Sequence, residues 1–184
     1  VIVCVLAMGI TSMGGPERVV RMVRQAVGDR DVEQVDSNKT DKQNKIIEGE
    51  AEEEAYQKIR DTFDTDVVKV FVCLPDMKFD TMNLDEKKQV AELYYTYQKR
   101  KIVYIVNTGY RESSWGIDIE DSIEKEYSKE INGCNMNIVV YKVENSNQSR
   151  CVSKFKYEGV EYFMMGLMEE GDFEKILKNL FFPK

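Results

Sequence analysis

The sequence predicts an α/β fold, a mostly parallel sheet with helices on both faces, and three observations predict it. Apolar runs of strand length recur at residues 1–8 (VIVCVLAM), 67–74 (VVKVFVCL), 102–106 (IVYIV) and 137–143 (NIVVYKV). They are rich in β-branched residues, the pattern of strands buried on both faces. Between them apolar residues return at helical spacing. Strand alternating with helix along the whole chain implies parallel pairing with helices packed on the sheet.

The elements follow in order. Residues 1–8 read as a core strand rather than a signal peptide, because the run is short and lacks a basic flank. Gly9-Ile10-Thr11-Ser12-Met13-Gly14-Gly15-Pro16 is a sharp turn, and Val19, Val20, Val23 and Val27 give the helix after it one apolar face. Residues 31–36 (DVEQVD) alternate as a short strand and residues 37–45 form a polar loop. Ala51, Ala55, Ile59, Thr62 and Phe63 then mark a helix, with the acidic run at 48–54 as a solvated first turn suited to its dipole. Pro75 ends the strand at 67–74. Leu84, Val90, Leu93, Tyr94 and Tyr97 mark another helix, and residues 120–131 a charged one closed by Asn132-Gly133. Residues 158–182 read as two helices, the first on Val160, Phe163, Met164, Leu167 and Met168. The second rests on Phe173, Ile176, Leu177, Leu180 and Phe181, with Gly171-Asp172 as break and N-cap between them.

Composition narrows the function classes. A chain of 184 residues is read as one domain, 1–184, with a core of its own. Its net charge of −7 argues against a nucleic-acid partner held through phosphates. No apolar run approaches the ~20 residues of a transmembrane helix, which leaves peripheral association as the form of any membrane contact. The chain has no histidine, which removes Ser-His-Asp and Cys-His nucleophiles and histidine metal sites. Four cysteines, Cys4, Cys73, Cys134 and Cys151, form no C-x-x-C pair, and the expected setting is reduced and cytoplasmic. Trp115, in a polar stretch, is either an anchor for a partner or a cover for the core edge. Met164, Met165 and Met168 read as adaptable core packing.

The local sequences resemble a known family. Gly9 and Gly14 have the spacing of a phosphate-binding loop, G-x-x-x-x-G, placed between strand and helix. FVCLPDMKFDTMNLDEKKQVAELYY, IVYIVNTGYRES and INGCNMNIVVYKVENSNQS resemble the immunity-associated (GIMAP) family of P-loop GTPases. The resemblance implies a three-layer P-loop-GTPase-like (Rossmann-like) G domain over nearly the whole chain. It implies GTP or GDP with Mg²⁺ as cofactor where the loop functions, and homotypic contact as the mode of assembly. The motifs are degenerate. Gly15 and Pro16 stand where Lys and Ser/Thr would hold the phosphates and Mg²⁺. Ile46-Ile47-Glu48-Gly49 lacks the Asp of Asp-x-x-Gly, and Asn107-Thr108-Gly109-Tyr110 keeps only the Asn of the base-recognition motif.

What survives is a set of candidate contacts to a phosphate-bearing ligand: Gly9, Thr11, Ser12, Gly14, Gly15 and Asn107. No residue presents itself as catalytic and none as a metal ligand. The expected function is a degenerate GTPase-like domain, without bound cofactor and unable to hydrolyse GTP, acting through a protein partner or self-association. The alternative is an active α/β enzyme that uses the loop from Gly9 to Gly15 for a nucleotide or another phosphate ligand.

Overall fold

The computed structural model, which describes residues 44–109, 121–144 and 146–183, builds these residues into one antiparallel sheet. The order is α1 (Asn44–Phe63), β1 (Lys78–Asp85), β2 (Val90–Tyr97), β3 (Arg100–Asn107), β4 (Ser122–Ile131), β5 (Cys134–Lys142), β6 (Ser149–Tyr157), β7 (Val160–Met168) and α2 (Glu170–Lys178). The seven strands lie in the order β1-β2-β3-β7-β6-β5-β4, every neighbouring pair antiparallel. A three-stranded meander and a four-stranded one therefore meet at β3 and β7.

The predicted three-layer α/β fold with a mostly parallel sheet is overturned. So is the resemblance to the immunity-associated P-loop GTPases, whose Rossmann-like sheet is parallel. The residues between 84 and 97 fit a helix only if Leu93, Tyr94 and Tyr97 are counted and Tyr95 is not. In β2, Ala91, Leu93, Tyr95 and Tyr97 face one core while Val90 and Tyr94 face another. A strand buried on both faces carries apolar residues at every position, so a helical subset can always be drawn from it. Residues 160–168, expected as a helix, carry the same ambiguity and form β7, which is buried at eight of its nine positions. The charged segment at 122–131 is β4, an edge strand, where exposed charge is the usual guard against further pairing.

Three two-residue turns hold the hairpins. Asn132 and Gly133, at φ 51° and 74°, join β4 to β5, and Glu158 and Gly159, at 47° and 80°, join β6 to β7. Asn-Gly is the strongest local hairpin signal, because both central residues of this turn need positive φ. The β2–β3 turn is Gln98-Lys99, at φ 48° and 62° with Tyr97 opposite Arg100, and has no glycine. Lys99→Gly is therefore expected to raise stability by about 0.5–1 kcal/mol, by relieving left-handed strain; a lower urea midpoint than the parent would contradict it.

Both helices cover one face of the sheet. α1 buries Ala55, Tyr56 and Ile59 at the i, i+1, i+4 spacing of one helical face, and α2 buries Phe173, Ile176 and Leu177. Together with Leu93, Tyr95, Tyr104, Met136, Ile138, Tyr162 and Met164 they form the main core. Because α1 begins at Asn44, the acidic run starting at 48 is not its first turn. Gly171 and Asp172 likewise lie inside the first turn of α2 rather than before it, with Glu169 at the N-cap.

Residues 67–70, expected as a central strand, cross this helix-covered face as a single extended segment. Buried peptide groups must be paired, and tyrosine hydroxyls supply most of the partners. The Val68 N–H donates to Tyr162 (3.0 Å), Tyr104 donates to the Val68 carbonyl (2.9 Å), and the Val70 N–H donates to Tyr56 (2.8 Å). Lys69 pairs with Phe181 through two backbone hydrogen bonds of 2.9 Å. Tyr56 and Tyr95 share a hydrogen bond of 3.1 Å, and Tyr95 donates to Glu52 at 2.8 Å, tying α1 to the same network.

Candidate binding cleft on the far face of the sheet

The strand alternation that points Leu93, Tyr104 and Met164 at the helices sends their neighbours to the opposite face. Val90, Tyr94, Val103, Ile105, Val152, Phe163 and Met165 form a second buried cluster there. Beside it lies a cleft of about 580 Å³, within the range of small-ligand sites.

Register explains the cleft floor. Ile105 on β3 pairs with Phe163 on β7, Phe163 with Lys154 on β6, Lys154 with Asn137 on β5, and Asn137 with Ser128 on β4. Five strands thus contribute one transverse row that runs from apolar to cationic to amide and hydroxyl. Along the next row Glu161 pairs with Lys156, and their side chains form an ion pair of 3.1 Å. The Lys154 ammonium stands 5.9 Å from the centre of the Phe163 ring, a cation–π geometry. Desolvation lowers its pKa, against the pull of Glu161. Asn137 donates to Glu126 at 3.3 Å and stays exposed, as do Asn135 and Ser128.

Three buried polar residues share this face, Glu92, Arg150 and Asn107. Glu92 accepts a hydrogen bond of 2.8 Å from Tyr94. Arg150, nearly inaccessible, forms an ion pair with Asp121 just ahead of β4. The ion pair offsets only part of the cost of burying the guanidinium: its Nε is buried without a hydrogen-bond partner among the described residues, and desolvation lowers its pKa.

Of the residues singled out in the sequence, Gly9, Thr11, Ser12, Gly14, Gly15 and Trp115 lie outside the described residues. Asn107 is buried at the end of β3, opposite Val90 on one side and Glu161 on the other. It shares the far face with Ile105 but does not line the cleft. The neighbouring strands β2 and β7 run antiparallel to β3, so amino and carboxyl ends alternate along this edge of the sheet. Gly109 beside it approaches the chain closely, since a Cβ there would come within 2.7 Å of the Lys88 carbonyl oxygen.

The described thiols are poor nucleophiles. Burial pushes Cys151 up to about 12 and raises Cys134, and desolvation raises the exposed Cys73 as well. Among the described residues no group of three or more acidic or cysteine side chains is arranged to hold a metal ion. None of the described helices is long and apolar enough to cross a membrane.

Fold and cleft together define an antiparallel β-sheet domain with two helices on one face and a ligand-sized depression on the other. The chain belongs to the family described as "Domain of unknown function (DUF4367)", whose model matches residues 67–180. The match runs from the tyrosine-clamped segment through all seven strands and α2, and leaves α1 outside it. No curated protein and no solved structure matches the chain.

Proposed function

We propose that the domain is a non-catalytic binding module that engages a protein partner across the cleft on its far face, without nucleotide or metal. The observation that carries this reading is the transverse row from Ile105 to Ser128, in which an apolar floor grades into a lysine and then neutral hydrogen-bonding groups. Such a mixture on a rigid sheet suits recognition, where apolar contact supplies affinity and a few polar groups fix orientation. The carboxylate in the cleft lining, Glu161, is held in an ion pair with Lys156 at 3.1 Å, which favours binding over acid–base chemistry as the role of the exposed cleft.

Contact through the face also fits the state of the edges. β4 carries Lys125, Glu126, Lys129 and Glu130 with an irregularity between Ile123 and Lys125, and β1 has one between Phe79 and Thr81. Charges and bulges blunt edge-to-edge pairing.

The test fills the cleft from an exposed position. Asn137→Trp is expected to leave the urea midpoint within about 0.5 kcal/mol of the parent, as surface changes do, and to abolish retention of a partner that the immobilised parent chain holds. A partner retained equally by both chains would refute the cleft as its site.

A further inference from the structure

Resting on the reading of the cleft as a binding site, we infer that its occupant is an extended, uncharged segment of a protein partner, laid along β5 and read by Asn135 and Asn137. Charge around the cleft is arranged in stripes of alternating sign. Lys154 and Lys156 stand on β6. Beside them on β7 stands Glu161, 3.1 Å from Lys156 and acting electrostatically on Lys154 as well. On the other side of β5, strand alternation places Glu126 and Glu130 on the same face as the cleft-lining Ser128. Glu126 accepts a hydrogen bond of 3.3 Å from Asn137, so a carboxylate reaches the cleft from this side too. The neutral pair on β5, Asn135 and Asn137, thus lies between a cationic stripe and an anionic one.

That arrangement selects against ions. An occupant over β5 sits one strand spacing, about 4.8 Å, from each stripe. An anion drawn to Lys154 therefore meets Glu126, and a cation drawn to Glu126 meets Lys154. An ion of either sign gives up hydration for an attraction that a like charge partly cancels. A peptide group has no net charge and offers both a carbonyl and an N–H, so it turns an acceptor to the lysines and a donor to the carboxylates. The two asparagines match this chemistry. Each side-chain amide has two donors and an acceptor, and both residues are exposed in the cleft lining. They lie two residues apart on one strand, about 6.8 Å, which is also the spacing of same-face positions in an extended partner. A large apolar side chain of that partner covers the Lys154 stem toward Phe163.

The experiment is a nuclear magnetic resonance titration of the full ¹⁵N-labelled chain with three blocked tripeptides, acetyl-Gln-Phe-Gln-amide and its Glu-Phe-Glu and Lys-Phe-Lys counterparts, and with maltose as a neutral ligand that has no amide. The Gln peptide is expected to shift the amides of Asn135, Asn137 and Lys154 and to bind at least about threefold more tightly than either ionised peptide, with no shifts from maltose. Asn137→Ala is expected to weaken the Gln peptide about three- to tenfold, the order of one neutral hydrogen bond. Glu126→Gln, which removes one carboxylate, is expected to raise the affinity for the Glu peptide about two- to fivefold. Both positions are exposed, and the spectrum itself reports that each variant is folded. An ionised peptide held at the cleft as tightly as the Gln peptide would overturn the neutral preference while leaving the binding module standing. An Asn137→Ala chain that binds the Gln peptide like the parent would overturn the reading role of the asparagines. Shifts from maltose alone would assign the cleft to a saccharide, and shifts from no probe would overturn both the inference and the binding module.

Discussion

Ile59→Ala is expected to lower unfolding stability by about 2–5 kcal/mol, the range for emptying a fully buried branched aliphatic site. Ile59 has no exposed surface, and it enters the core from α1, outside the family match at 67–180. If α1 were an appended arm, truncating its buried face would cost almost nothing. The structure argues otherwise, because Ile59 and Tyr56 share one core with Tyr95, Tyr104 and Tyr162. A graded comparison separates packing from hydrogen bonding. Tyr56→Phe keeps the ring but removes the hydroxyl that accepts from Val70 and pairs with Tyr95. Its expected cost is about 1–3 kcal/mol, that of leaving a buried donor unpaired. Gln57→Ala, one residue away on the exposed side, loses only a surface hydrogen bond to Asp61 and is expected to change stability by less than about 0.5 kcal/mol. Urea denaturation of the three variants measures this order, and an Ile59→Ala midpoint equal to that of the parent would show that α1 is not part of the cooperative unit.

The sequence made some elements legible and concealed others for a physical reason. α1 and α2 were readable because each shows one apolar stripe against polar neighbours, Ala55 with Ile59 and Phe173 with Ile176 and Leu177. β3 and β5 were readable as short apolar runs bounded by turn residues. β2 and β7 were not, because burial on both faces erases the alternation that separates period 2 from period 3.6. Local turn chemistry could have arbitrated. Asn132-Gly133 demands positive φ at two successive residues, which ends a hairpin strand as readily as it caps a helix, and Glu158-Gly159 repeats the signal. Two such turns after residue 120 favour hairpins over crossover units. The cleft was less accessible still. Ile105, Ser128, Asn137, Lys154 and Phe163 become neighbours only through the register of five strands, and no spacing along the chain encodes that row. The glycine-rich sequence from Gly9 to Gly15 resembles a phosphate loop because that motif is local in sequence, whereas a sheet-face site is assembled from distant strands.

Acidification is expected to loosen α2 from the sheet before the rest of the core fails. Glu174 accepts from Lys129 at 2.6 Å and Glu170 from Lys125 at 2.6 Å, with the Tyr127 hydroxyl shared between them at 3.0 and 2.8 Å. Asp172 accepts from Lys175 at 2.7 Å and from Tyr97 at 2.8 Å. The hydrogen bond from Lys129 is the main cause that holds Glu174 at about 2, and those from Lys125 and Lys175 are the leading causes that lower Glu170 and Asp172. A carboxyl whose folded pKa lies below its unfolded value binds its proton more tightly when unfolded, so its stabilisation is complete above the unfolded pKa and disappears as pH falls through the folded one. For Glu174 that window runs from about 4.5 down to about 2. Solvent screening at these rim positions reduces the contribution of the three groups to about 1–2 kcal/mol together. Glu52 has the opposite sign: desolvation beneath Tyr95 raises its pKa, so protonation favours the folded state and offsets part of the loss. Denaturant midpoints measured from pH 6 to pH 2 should therefore fall more steeply in Glu52→Gln than in the parent, and less steeply in Glu174→Gln. Parallel curves for all three chains would mean that the α2 carboxylates do not couple to folding. Glu174→Gln is accordingly expected to be less stable than the parent at pH 6, since the neutral amide keeps an acceptor for Tyr127 but loses the charge that holds Lys129 and Lys178.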